Sequence, residues 1–223
     1  MNQNYSTAAQ RSSSVIATNK VLRSTYMLLS LTLLFSGLTA ALSMFMNMPP
    51  MTYMISVIGG MVIAMFVLPR FANSSAGIGI VFLITGMLGF GLGPILSMYA
   101  SLPNGGNIIM LSLGGTGVIF MGLSAYALAT RKDFSFMGGF LMVGFLLVLL
   151  AALANIFLQI PAMSLMISAV VIMIMSGFIL YDTSRIIHGG ETNYVLATIG
   201  LYMTIFNIFI SLLHILGIMG NDD

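Results

Sequence analysis

Apolar residues along this chain gather into seven long runs, near 25–46, 51–69, 76–100, 107–130, 136–158, 162–181 and 195–219, parted by short polar or proline-bearing breaks. A helix rises 1.5 Å per residue, so roughly 20 residues cross the roughly 30 Å hydrocarbon core of a bilayer, and each run has that reach. Backbone in lipid has no water to bond, and a helix satisfies its own N–H and C=O groups. The pattern therefore predicts an all-α integral membrane protein with seven transmembrane helices, residues 21–223 forming one transmembrane domain. Five of the six prolines, Pro49, Pro50, Pro69, Pro103 and Pro161, fall at the proposed turns or helix ends, where a missing N–H is tolerated. Pro94 is the exception: it lies inside GFGLGPIL, where Gly89 and Gly93 form a GxxxG pair that predicts a kink, a close helix contact or both.

Composition agrees with the pattern. Hydrophobic residues make up 59% of the 223 positions and charged residues 5%, far below the roughly 25% of a soluble domain. The charges then orient the bundle. Arg11, Lys20 and Arg23 precede helix 1, Arg70 follows helix 2, Arg131 and Lys132 follow helix 4, and Arg185 follows helix 6. All seven fall on one side, while the turns on the other side and the C-terminal Asp222 and Asp223 carry no base. By the positive-inside rule the N-terminus is cytoplasmic and the C-terminus periplasmic. Residues 1–20, MNQNYSTAAQRSSSVIATNK, are polar and lack the apolar core and cleavage site of a secretory signal. They are expected to form a flexible cytoplasmic tail, with Arg11 and Lys20 as its charged contacts for a partner.

Several classes of chemistry drop out. Cysteine is absent, which removes disulfides, thiolate metal sites and a catalytic thiol. A pI of about 9.0 rests on so few charges that no basic run with interleaved aromatics exists, and no nucleic-acid partner is expected. The 21 methionines are scattered through the apolar runs, as gap-filling side chains are. No nucleophile, base and oxyanion donor stand in register, so no enzyme, cofactor or metal centre is expected.

What remains is the stretch YDTSRIIHGGETNY, where Asp182, Arg185, His188 and Glu191 crowd into ten positions behind an apolar run. If helix 6 ends near Tyr181, Asp182 faces the negative end of the helix dipole and needs a cation. Arg185 one turn on and Arg70 across the bundle are the candidates. One reading is a solvated interfacial ion pair; the other makes Asp182 a proton-responsive latch on a polar pathway. In the loop His188-Gly189-Gly190-Glu191 the glycines deny His188 and Glu191 a common helical face, which argues against a metal site and for a tight turn before helix 7. Within helix 7, Gly200, Thr204, Asn207, Ser211 and His214 recur at spacings of four, three, four and three, one face of a helix. Such a stripe should face protein, making helix 7 interior, either as a glued helix interface or as the wall of a pathway involving Thr204, Asn207 and His214. No acid accompanies Ser211 and His214, so a hydrolytic triad is unsupported.

The segments KVLRSTYMLLSLTL, GFGLGPIL, SAYALATRKDFSFMGG, ANIFLQIPA and above all YDTSRIIHGGETNY resemble the Bax inhibitor-1 superfamily, the transmembrane Bax-inhibitor-motif family, and more closely its bacterial YccA branch. That resemblance implies seven helices with the last one central. It implies one of two functions. The branch implies a polytopic inner-membrane regulator that interacts with an FtsH-type AAA+ membrane protease, modulating it and serving as its slow substrate. The wider family implies a pH-sensitive calcium or cation leak channel gated by two aspartates. The first would be Asp182; the second would fall at Thr204, where this chain has no carboxylate. The expected partners are thus the lipid bilayer, an FtsH-type protease and calcium ions in transit.

Overall fold

The computed structural model describes residues 18–220, and over them the seven runs are seven helices long and apolar enough to span a membrane. They are α1 (Thr18–Phe45), α2 (Met51–Phe71), α3 (Ser75–Ala100), α4 (Gly105–Thr130), α5 (Ser135–Leu158), α6 (Pro161–Ile187) and α7 (Tyr194–Met219). The expected tail lies outside the described residues except for Thr18, Asn19 and Lys20, which are already helical and so belong to α1 rather than to a tail.

The other correction concerns α6. Its apolar run ends near Tyr181, but the helix continues to Ile187. Nothing in Asp182-Thr183-Ser184-Arg185 breaks a helix, and two of these polar side chains find partners on other segments. The Ser184 hydroxyl accepts from the Phe134 N–H at 2.9 Å, and the Thr183 hydroxyl lies 3.4 Å from that of Tyr26 on α1. The helix stops where it meets glycine: Gly189 has φ +74°, a left-handed conformation that costs a residue with a Cβ.

α7 sits at the centre. It packs against α1, α3, α4 and α6, and 67% of its most apolar window is buried, the largest share of the seven. α5 is the opposite case, the least buried of the seven, and packs mainly on α6. The sequences explain the placement. From Gly138 to Ala154 α5 has no polar side chain and loses nothing by facing lipid, whereas the stripe on α7 would be wasted there. α2 packs on α3 as a second peripheral helix. Its helix widens into a π-turn at Ile63–Val67, just before Pro69, whose ring crowds the carbonyl four residues back.

The glycine pair of α3 brings that helix into close contact with α1. A Cβ on Gly89 would fall on the Ser36 carbonyl oxygen of α1, and one on Gly93 would meet the Ser43 side chain. That contact lets the Ser36 hydroxyl reach the Tyr202 hydroxyl of α7 at 2.6 Å, while Tyr202 also donates to the Thr85 carbonyl of α3 at 3.3 Å. One fully buried tyrosine thus ties three helices together.

The polar seam between α6 and α7

The candidate site is the line along which α6 and α7 run antiparallel. Gly200 of α7 faces Asp182 of α6, whose Oδ2 would stand 3.6 Å from a Cβ added there. Fourteen residues further along α7, His214 Nδ1 lies 2.8 Å from the Ser168 hydroxyl, itself fourteen residues back along α6. The stripe expected on α7 therefore faces α6, over about 21 Å of helix. Thr204 is buried and donates to the Gly200 carbonyl at 3.1 Å; Asn207 Nδ2 donates to the Met203 carbonyl at 2.8 Å. Both are bonded within their own helix, so in this stripe it is His214 whose side chain bonds across to α6.

Asp182 is half-buried at the basic end of the seam and borders a cavity of about 130 Å³ together with Arg185, Glu191 and Gly200. The pairing expected for it is not formed. Arg185 instead faces Glu191 at 3.6 Å, the one ion pair among the described residues, donates to the Gly190 carbonyl at 3.2 Å, and lies 5.6 Å from the centre of the Tyr181 ring. Arg70 stands exposed in the last turn of α2 and has no ion pair there either. The reason is local. Because α6 runs on past Asp182, the turn at Gly189 brings Glu191 back under Arg185, which pairs with it.

The rest of YDTSRIIHGGETNY is a clamp between the two helices. The N–H groups of Gly190 and Glu191 both donate to the Arg185 carbonyl, at 2.8 and 3.1 Å, closing α6. Glu191 Oε1 accepts the Asn193 N–H at 2.9 Å. Asn193 caps α7, its Oδ1 accepting from the Val195 and Leu196 N–H groups, while its Nδ2 donates to the Ala72 carbonyl and to Asn73 Oδ1 at 3.0 and 2.8 Å. His188 Nδ1 lies 2.9 Å from the Ser184 carbonyl, so the ring is held against its own helix. Nearby, the Ser135 N–H donates to Asp133 at 2.8 Å and holds its carboxyl below the usual range.

At the other end, Ser211 and His214 of α7 with Ser164 and Ser168 of α6, Asn155 of α5 and Tyr53 of α2 border a larger cavity of about 440 Å³. Between the two polar ends lies an apolar plug. Met175 and Ile179 of α6 pack on Ile208 of α7, with Phe120 and Phe178 around them. Polar side chains thus border a cavity at each end, and apolar packing lies between them.

Of the residues singled out from the sequence, Asp182, Arg185, Glu191 and Gly200 are brought together, and Thr204 lies one turn away. Arg70 and Lys20 stand apart and exposed, and Arg11 lies outside the described residues. Tyr202, Ser168 and Asn193 were not anticipated. An Asn directly ahead of an apolar run is a helix-start signal that would have found Asn193. Nothing local marks Tyr202 or Ser168, whose partners come from other helices.

The family model described as inhibitor of apoptosis-promoting Bax1 matches residues 18–221. The chain is 52% identical over 209 residues to the modulator of FtsH protease YccA of Escherichia coli K12, covering 94% of each chain. It is 48% identical to an uncharacterized membrane protein of Vibrio cholerae, covering 93% of each, and 50% identical to an uncharacterized protein of Pseudomonas aeruginosa, covering 91% of each. A match across every transmembrane helix and the clamp that joins the last two is a match of the whole fold, and this chain belongs to the Bax inhibitor-1 family.

Proposed function

We propose that this chain is a multi-pass inner-membrane regulator, not an enzyme, that modulates an FtsH-type protease and is itself degraded slowly by it. The observation that carries this reading is the 52% identity, over 94% of both chains, to a protein named for modulating that protease. Charge supports the orientation: among the described residues Lys20, Arg23, Arg70, Arg131, Lys132 and Arg185 gather at one end of the bundle, in keeping with a cytoplasmic N-terminus and a periplasmic C-terminus. The polar segment before α1 then lies where an ATP-driven protease works, and its composition suits an unfolded handle. Pulling on α1 meets a bundle in which α7 is enclosed by four helices and tied by Tyr202, so extraction is slow and the protease stays occupied.

Deleting residues 1–17 tests this. Co-purification with the protease should be lost and the half-life in cells should lengthen several-fold, whereas Asp182→Asn should alter neither. Turnover that the deletion leaves unchanged would sink the proposal.

The seam favours a second reading, a cation leak, because polar side chains line both ends of one helix interface and an apolar plug separates them. Here the latch has a single carboxylate, Asp182, with Arg185 and Glu191 as its charged neighbours and Thr204 where a second acid would stand. In proteoliposomes, calcium entry should depend on pH in the parent and lose that dependence in Asp182→Asn. Flux no greater than in empty vesicles at every pH would remove this reading.

A further inference from the structure

A second cavity opens at the basic end, away from the α6–α7 seam. It measures about 290 Å³ and is bordered by Thr18, Asn19 and Leu22 of α1, Leu128 and Arg131 at the end of α4, and His188 at the end of α6. Its polar lining consists of a guanidinium, an imidazole, a hydroxyl and a carboxamide, and no carboxylate borders it. A donor-rich set without an acid suits an anion with several acceptor oxygens.

Two details suggest that the lining is built for a ligand. Arg131 closes α4 with φ 49°, a left-handed position that glycine or asparagine usually takes, and its N–H donates to the Ala127 carbonyl at 3.0 Å. An arginine held there carries conformational cost, as residues at binding sites often do. His188 has its Nδ1 side held at the Ser184 carbonyl, which fixes the ring at the edge of the cavity. The cations of this end are also uncommitted: Lys20, Arg23, Arg131 and Lys132 form no ion pair among the described residues. The nearest acid, Asp133, accepts the Ser135 N–H.

We propose that this cavity seats the phosphate of an anionic phospholipid, Arg131 and the Thr18 and Asn19 side chains binding its oxygens and Leu22 and Leu128 contacting the glycerol. The site lies where α4 and α6 end beside α1, and basic pockets between helices on the cytoplasmic side are where anionic head groups bind. The apolar floor favours a phosphodiester with a hydrocarbon body over free phosphate. Naming the leaflet as the cytoplasmic one rests on the orientation proposed above; the cavity and its donors do not.

The full-length protein is reconstituted in phosphatidylethanolamine vesicles with and without about one-fifth phosphatidylglycerol, extracted, and its retained lipid counted by native mass spectrometry. One phosphatidylglycerol per protein should be retained in preference to phosphatidylethanolamine. Arg131→Asn keeps the left-handed turn that asparagine tolerates, and with Asn19→Ala it should lower retention by at least about fivefold, the worth of the one cation removed. Arg70→Gln, at another helix end, should leave it unchanged. Equal loss in Arg70→Gln, or no loss in the double variant, would overturn the site. Inorganic phosphate added to the delipidated protein should raise its melting temperature less than phosphatidylglycerol does. The reverse order would overturn the lipid assignment.

Discussion

Gly89→Val should lower the melting temperature of the detergent-solubilised protein more than any other single substitution in α3. The new Cβ has no room. It falls on the Ser36 carbonyl of α1, with the Ser36 and Thr39 hydroxyls at 2.6 and 2.5 Å, and backbone cannot swing aside as the end of a side chain can. Overfilling a packed interface costs about 3 kcal/mol at the upper end of its usual range. Here the displacement also pulls Ser36 from Tyr202, and with it the link from α1 to the central helix. Gly79→Val on the same helix is the control, because nothing lies within 4 Å of a Cβ there. If the two variants melt together, the close seam between α1 and α3 is not what holds the bundle.

Asn193→Ala should have the next largest effect. The side chain makes four bonds: two caps on α7 and two tethers to the turn after α2. Losing a cap costs about 1 kcal/mol and each further bond about as much, less what water recovers at a partly exposed site, so about 2–3 kcal/mol is expected. Asn193→Asp separates the parts. It keeps the acceptor for the Val195 and Leu196 N–H groups and loses the donors to Ala72 and Asn73, so its melting temperature should fall between those of the parent and the alanine variant. An aspartate variant as unstable as the alanine one would show that the tethers, not the cap, carry the stability. An alanine variant that melts with the parent would show that the loop positions α7 without them.

The two variants also show how much of this molecule could be read before it was seen. Gly89 and Gly93 announced a close helix contact through their spacing alone, but the partner helix was not legible. From Tyr26 onward α1 carries no charge, and the Ser36 and Ser43 that meet the glycines look like the other hydroxyls of that apolar run. The stripe on α7 announced an interior helix, and α7 is the most enclosed of the seven. Its orientation toward α6 appeared only when Asp182 met Gly200 and His214 met Ser168. The partner of Arg185 was misread for a physical reason: the sequence placed the helix end at the last apolar residue, whereas the backbone continues until glycine lets it turn. The turn at Gly189 then folds the loop back, so that Glu191 rather than Asp182 comes within 3.6 Å of Arg185.

Seven crossings, their boundaries to within a few residues at most ends, and the gathering of the described Lys and Arg residues at one end were determined by the sequence itself, because each follows from a local balance. Apolar length must match the bilayer, backbone must bond itself in lipid, and cations must remain in water. Which helices touch, which carboxylate has a cation, and where cavities open were decided only in the folded bundle. In lipid one apolar face is as good as another, so the choice among faces falls to close packing and a few hydroxyl bonds between residues more than a hundred positions apart, such as Ser36 and Tyr202.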